Sequence, residues 1–211
     1  MTAPSRIPRL QAGDVMTRVE FERRYSAMPN LKHAELIEGV VYMPSPVRYS
    51  QHGRPHAVLA GWLSDYERAT PGTAFGIEAT FRIDLDNEVQ PDLMLRRTDE
   101  RATSRIDEDS YIQGVPELLI EVAASSVSYD LHQKKRVYRR AGVQEYLVLR
   151  AEDAAVDWFV LRDGEYHPEE PDVAGILRSN AFPGLWLDVP ALLAGDTVQL
   201  TETLARGIAA R

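Results

Sequence analysis

Three charged residues stand where a charge is costly. Glu121 lies inside the apolar run Pro116-Glu-Leu-Leu-Ile-Glu-Val-Ala-Ala124. Burying an unpaired carboxylate costs several kcal/mol, about the stability margin of a domain, so such a group is neutralised, paired or bound to a metal. Asp92 follows proline in Val89-Gln-Pro-Asp-Leu-Met-Leu95, where strand alternation sets it on the side of Met94. Lys134 belongs to the basic segment His132-Gln-Lys-Lys-Arg-Val-Tyr-Arg-Arg140. On a helix of about 100° per residue it falls between Tyr138 and Ala141 on the apolar face; Lys135 sits at the margin, and Arg136, Arg139 and Arg140 point away.

Each residue alone has an ordinary explanation. Lys134 can snorkel, Asp92 can face solvent on the edge that Pro91 favours, and the basic run can be a solvated helix face. Together they say more. Two carboxylates from neighbouring strands suit a hard divalent cation such as Mg²⁺ with water completing its shell, and a nearby lysine can orient or deprotonate an attacking water. His52 and His56 are four apart, but Gly53-Arg-Pro55 between them supplies no glutamate for an HExxH zinc site, and the chain has no cysteine.

These residues need a scaffold. The chain predicts a short helix over Thr17–Ala27, capped by Thr17 with Glu20 three residues on, and a hairpin over Ala34–Met43 turning at Glu38-Gly39 and stopped by Pro44-Ser-Pro46. A helix follows from about His52 to Ala69, on the spacing of Val58, Leu59, Trp62, Leu63 and Tyr66. Strands are expected at Ala74–Leu85 and Val89–Leu95, then a polar connection over Arg96–Gln113. The strand Glu117–Ala123 leads through Ser125, Ser126 and Ser128, plausible caps, into a helix over about Tyr129–Ala141 closed by Gly142. Strands at Glu145–Leu149 and Val156–Leu161, the turn Asp163-Gly164, a further strand, an aromatic-anchored loop and a helical turn at Val189–Ala194 complete the reading. The order predicts an α/β (α+β) fold, a mixed central sheet flanked by helices, with the strand of Glu121 in the middle because its run is apolar on both faces.

Composition sets the outer bounds. At 211 residues the chain suits one sizeable domain, here residues 31–195, with an arm and short helix over 1–30 and a tail over 196–211. A composition 44% hydrophobic and 27% charged is that of a globular protein, and no apolar run approaches the roughly 18 residues of a membrane helix. The N-terminus lacks a signal-peptide core, which with the missing cysteines favours the cytoplasm. The formal charge of −8 argues against non-specific nucleic-acid binding driven by phosphate contacts, though it leaves room for one basic face.

Pro91-Asp92, Pro116-Glu-Leu-Leu-Ile-Glu-Val-Ala-Ala-Ser125, Tyr129-Asp-Leu-His-Gln-Lys134 and Ala141-Gly-Val-Gln-Glu-Tyr-Leu147 together resemble the Uma-type (Uma-two) restriction endonuclease family of the PD-(D/E)xK superfamily. The resemblance runs from about Leu31 to Leu193. Ala34-Glu-Leu-Ile-Glu-Gly39 resembles the family's N-terminal hairpin, and Ser45-Pro46 with His52 the start of its first core helix. It implies a restriction-endonuclease-like fold and a Mg²⁺- or Mn²⁺-dependent endodeoxyribonuclease, a hydrolase of DNA phosphodiester bonds. Asp92 and Glu121 would be metal ligands, the Val122 carbonyl a third, and His52 would line the cleft. Where the superfamily pattern has lysine two residues after the second acid, this chain has Ala123; the family resemblance moves that lysine to Lys134 on the next helix. Asp130 would orient its ammonium, although an acid at a helix start is also favoured by the dipole. Glu38 is a candidate carboxylate outside the ligand set, or simply a turn residue.

Two other readings stay open: a catalytically inactive nuclease-fold protein for binding or assembly, which the acidic balance favours, and a different metal hydrolase using His52 and the acids. Nucleases of this fold often act as dimers, so a homodimer through the Trp186 region is an expectation. Trp158, Trp186 and Phe182 read as core residues.

Overall fold

The computed structural model describes residues 7–43, 48–124 and 127–211. The strand stop at Pro44-Ser-Pro46, the Ser45-Pro46 part of the resemblance and the caps at Ser125 and Ser126 lie outside the described residues; Ser128 is inside the helix, not before it.

Helix α1 (Arg18–Ser26) precedes the hairpin β1 (Glu35–Ile37) and β2 (Val40–Tyr42). Glu38 and Gly39 both take positive φ at its tip, the conformation that a tight twisted two-residue turn requires. A π-helical turn (Tyr49–Gly53) opens α2 (Arg54–Ala69). Then come β3 (Thr73–Ile77), β4 (Phe81–Arg82), β5 (Glu88–Val89), β6 (Leu93–Arg97), β7 (Ser104–Ile106), β8 (Ile112–Gly114) and β9 (Leu118–Ala123). Helix α3 (Val127–Tyr129) runs through a π-helical stretch (Asp130–Lys134) into α4 (Lys135–Ala141). Strands β10 (Glu145–Arg150), β11 (Ala155–Arg162), β12 (Glu165–Pro168), β13 (Ile176–Arg178) and β14 (Trp186–Asp188) lead to α5 (Val189–Ala194) and α6 (Thr197–Ala209).

The central sheet has the order β12-β11-β10-β9-β6-β3. It is mixed as expected: β9 runs parallel to β10 and antiparallel to β6. Both faces of β9 are covered. Leu118, Ile120 and Val122 face Leu59, Trp62 and Leu63 of α2 and Leu204 of α6. Leu119 and Ala123 face Val137 and Tyr138 of α4, together with Ile37, Phe81 and Val89 from a second sheet, β2-β1-β5-β4-β8-β7. Glu121 shares the face of Leu119 and Ala123, so its carboxylate points into the layer that holds the α3–α4 helix.

The structure corrects four expectations about elements. The two long strands predicted over Ala74–Leu85 and Val89–Leu95 are four short ones, because the chain leaves the central sheet after β3 and returns to it at β6. Glu78, with φ of 48°, makes the first exit, and Pro91, with no N–H to give a ladder, marks the second. The polar stretch over 96–113 holds the end of β6 and most of the β7–β8 hairpin, whose pairing uses main-chain groups that side-chain pattern does not reveal. Thr17 makes no side-chain cap; Glu20 bonds Arg23 and Arg24 instead. The tail from 196 is helix α6, capped by Asp196 and packed through Leu200 and Leu204. At the other end, Leu10 is buried with Phe21, Leu36 and Val41, so residues 10–26 pack on the hairpin.

Candidate functional site

Where β6 meets β9, Leu93 pairs with Ile120. One step further the same register sets Asp92 opposite Glu121, at the point where Pro91 ends the ladder. Asp92 takes over a ladder bond: its Oδ2 accepts the Val122 N–H at 2.6 Å. A carboxylate thus fills the place of a main-chain acceptor and is fixed to the strand that carries the second acid.

Glu121 is 4% exposed and meets the helix. The Lys134 ammonium lies 2.9 Å from its Oε1, and the Tyr138 hydroxyl donates to the same oxygen at 2.9 Å. Lys134 is itself 4% exposed. The wheel that singled it out assumed regular α geometry; the helix is π-helical up to Lys134, which widens the turn, yet Lys134 stays on the buried face beside Tyr138. Lys135 bends the other way, its ammonium 3.4 Å from the centre of the Phe159 ring. Arg136 and Arg140 pair with Glu38, and Arg139 with Glu165, so the outer face of this helix is charge-compensated. Glu38 is consumed by those arginines in the hairpin turn.

His52 joins the opposite side. Its Nδ1–H donates to the Val122 carbonyl at 2.9 Å, and its Nε2 lies 3.4 Å from Asp92 Oδ1. His56 stacks on it and donates to the main-chain oxygen of Asp92 at 3.1 Å. The two imidazoles address different oxygens and do not converge on one point.

Sequence reasoning missed Glu35. This residue of β1 is buried, and its Oε1 lies 3.1 Å from Lys134 Nζ while accepting the Gln90 N–H at 2.8 Å. Asp130 Oδ1 is 3.9 Å from the same ammonium, and the Asp130 carbonyl accepts from the Tyr146 hydroxyl. The only sequence signal for Glu35 was a carboxylate in a three-residue strand otherwise made of Leu36 and Ile37.

Electrostatics follow from this crowd. Four buried carboxylates, Glu35, Asp92, Glu121 and Asp130, face Lys134 and the less enclosed His52, a formal surplus of two negative charges when all six are ionised. Burial, and the neighbouring carboxylates against the pull of Lys134, raise the Glu121 carboxyl well above its usual range. Burial disfavours the Lys134 ammonium, but Glu121, Glu35 and Asp130 outweigh it and hold the lysine protonated. Asp92 is held below its usual value, because His52 and the Val122 N–H overcome the cost of burial. The bond with Asp92, set against burial, raises His52 in turn.

Residues 18–190 match the sequence model of the family described as "Uma2: Putative restriction endonuclease". The chain belongs to the Uma2 family. That match begins at α1, before the Leu31 at which the motifs first show the likeness, consistent with α1 packing on the hairpin. No curated protein matches. Among solved structures, this Uma2 chain is similar to one described as "a putative nuclease belonging to DUF820" from Anabaena variabilis, with a TM-score of 0.61, 16% identity, and 82% of this chain and 96% of that chain covered. At that identity the likeness shows the fold, a nuclease-like mixed sheet with flanking helices. Among the described residues no helix is long and apolar enough to cross a membrane.

Proposed function

We propose that this Uma2 protein is a metal-dependent endonuclease hydrolysing DNA phosphodiester bonds, with Asp92, Glu121 and the Val122 carbonyl as ligands of Mg²⁺ or Mn²⁺ and Lys134 as the charge stabiliser. The observation that carries the proposal is the meeting of Lys134 with Glu121 on the strand to which Asp92 is bonded.

The donor chemistry fits a hydrated hard cation. All three ligand groups are oxygens, and the cluster carries a surplus of negative charge in a place where charge is costly. His52 spans the Val122 carbonyl and the Asp92 carboxylate, so a single imidazole already reaches two of the three. Among the described residues no three His, Asp or Glu side chains are gathered in a group that could hold a metal ion, so the proposed ligand set is two carboxylates and one main-chain carbonyl, with water left to complete the shell. When bound, such an ion would polarise the scissile phosphate and lower the pKa of a coordinated water.

The chain's own residues supply the rest. Lys134 carries a fixed positive charge in a dry pocket, where it stabilises charge developing on phosphate oxygens far better than in water. Tyr138 holds the Glu121 carboxylate in one orientation. Asp92, tied to Val122 N–H, keeps one lone-pair direction fixed. His52, bonded to both Asp92 and the Val122 carbonyl, lines the more open side of the cluster.

Supercoiled plasmid incubated with Mn²⁺ tests this. Nicking by the wild type and none by Asp92→Ala is the expected result; equal rates in both would remove Asp92 from the chemistry. A second reading, a nuclease-fold protein for binding or assembly with an ion network for its trio, is favoured by the closure of Asp92, Glu121 and Lys134, none more than 8% exposed. Wild type that never nicks across salts and substrate forms would support it.

A further inference from the structure

We infer that Glu35 is a positioning residue that divides Lys134 between two carboxylates and so leaves Glu121 available to a divalent cation, an inference that rests on the metal-nuclease reading above. The ammonium is shared almost evenly: 2.9 Å to Glu121 and 3.1 Å to Glu35. The two acids come from different sheets. Glu121 is on β9 of the central sheet, and Glu35 on β1 of the second. A cation approaching Glu121 meets the repulsion of Lys134. That repulsion is reduced when a second carboxylate, buried and at contact distance, forms a neutral pair with the same ammonium.

Glu35 is built for this. Its Oε1 accepts the N–H of Gln90, two residues before Asp92, so the segment that places Asp92 also fixes Glu35. The acid therefore holds its place beside Lys134 independently of what Glu121 binds. Asp130, at 3.9 Å and on the helix of Lys134 itself, adds field without a close bond to the ammonium. Glu35 is therefore the partner that retains the lysine charge when Glu121 is engaged.

A double-mutant cycle read by Mn²⁺ calorimetry tests it, with wild type, Glu35→Gln, Lys134→Met and the double variant, each checked by thermal unfolding. Glutamine keeps the acceptor for Gln90 but removes the charge. With Lys134 present, Glu35→Gln is expected to weaken Mn²⁺ binding roughly tenfold, and in the Lys134→Met background to change it little, since coupled neighbours are non-additive. Equal loss in both backgrounds, or no loss with Lys134 present, overturns the inference. If Glu35→Gln does not fold, Glu35→Asp, which keeps the charge and loses reach, is expected to lose part of the affinity; wild-type affinity there would also overturn it. Lys134→Gln replaces Lys134→Met if the latter does not fold. Wild type that gives no Mn²⁺ heat sinks the metal reading and the inference together, whereas wild-type binding with an indifferent Glu35 sinks the inference alone.

Discussion

Lys134 Nζ lies 2.9 Å from Glu121 Oε1, joining a helix to the central strand of the sheet it packs on. Ala123 stands two residues after Glu121 on the same strand, and the positive charge that meets the carboxylate comes from the next helix.

Lys134→Met separates binding from catalysis. Removing a positive charge beside a ligand carboxylate should leave Mn²⁺ binding intact or tighter, while plasmid nicking falls by roughly 10²- to 10³-fold, the usual loss for one preorganised electrostatic group. Parallel calorimetry and nicking assays check it; loss of metal binding with the lysine would assign Lys134 a structural role instead.

Tyr138→Phe probes the orientation of Glu121. The hydroxyl donates to a buried carboxylate oxygen that retains Lys134 as partner. A loss of about 1–3 kcal/mol is expected from one charge-assisted bond, seen as a lower urea midpoint at unchanged slope. No shift in midpoint would show that the hydroxyl contributes nothing to holding the carboxylate.

Away from the site, Glu88 should make stability depend on pH. It is buried in the second sheet with Glu22 beside it and Arg82 only 3.9 Å away. Burial first, then Glu22, raises it from the usual 4.5 to about 8. The folded state therefore holds a proton that the unfolded chain releases, so this contribution is full below about 4.5 and is lost as pH rises through about 8. Chemical denaturation of wild type and Glu88→Gln across that window should give curves that diverge, with the wild type declining; parallel curves would contradict the assignment.

The site was legible where residue type contradicted local pattern. Glu121 breaks an apolar strand, and Lys134 breaks an apolar helix face. Burial by itself would not have been enough, since Glu117 and Glu145 are buried too. Glu117 accepts from Arg97 N–H and from Thr103, and Glu145 from Ser179, Asn180 and Ala181. They pin loops to strand starts with neutral donors, and no ammonium meets them in those bonds. Glu35 escaped because a three-residue strand carries too little alternation to mark a carboxylate as misplaced, and its partner belongs to a distant helix. The mixed sheet and its central strand followed from apolar runs; the switching of the chain between two sheets around Glu78 and Pro91 did not, since it depends on main-chain geometry. Trp158 and Phe182 are core as read, whereas Trp186 is half-buried, capped by Arg178 and packed against Gly207 of α6.

Crystals soaked in Mn²⁺ and measured at its anomalous edge test the central claim most directly. The expected result is a single strong peak about 2.0–2.3 Å from oxygens of Asp92, Glu121 and the Val122 carbonyl, with His52 moved off that carbonyl. A saturating soak with no peak there, and His52 still bonded to Val122, would contradict the account.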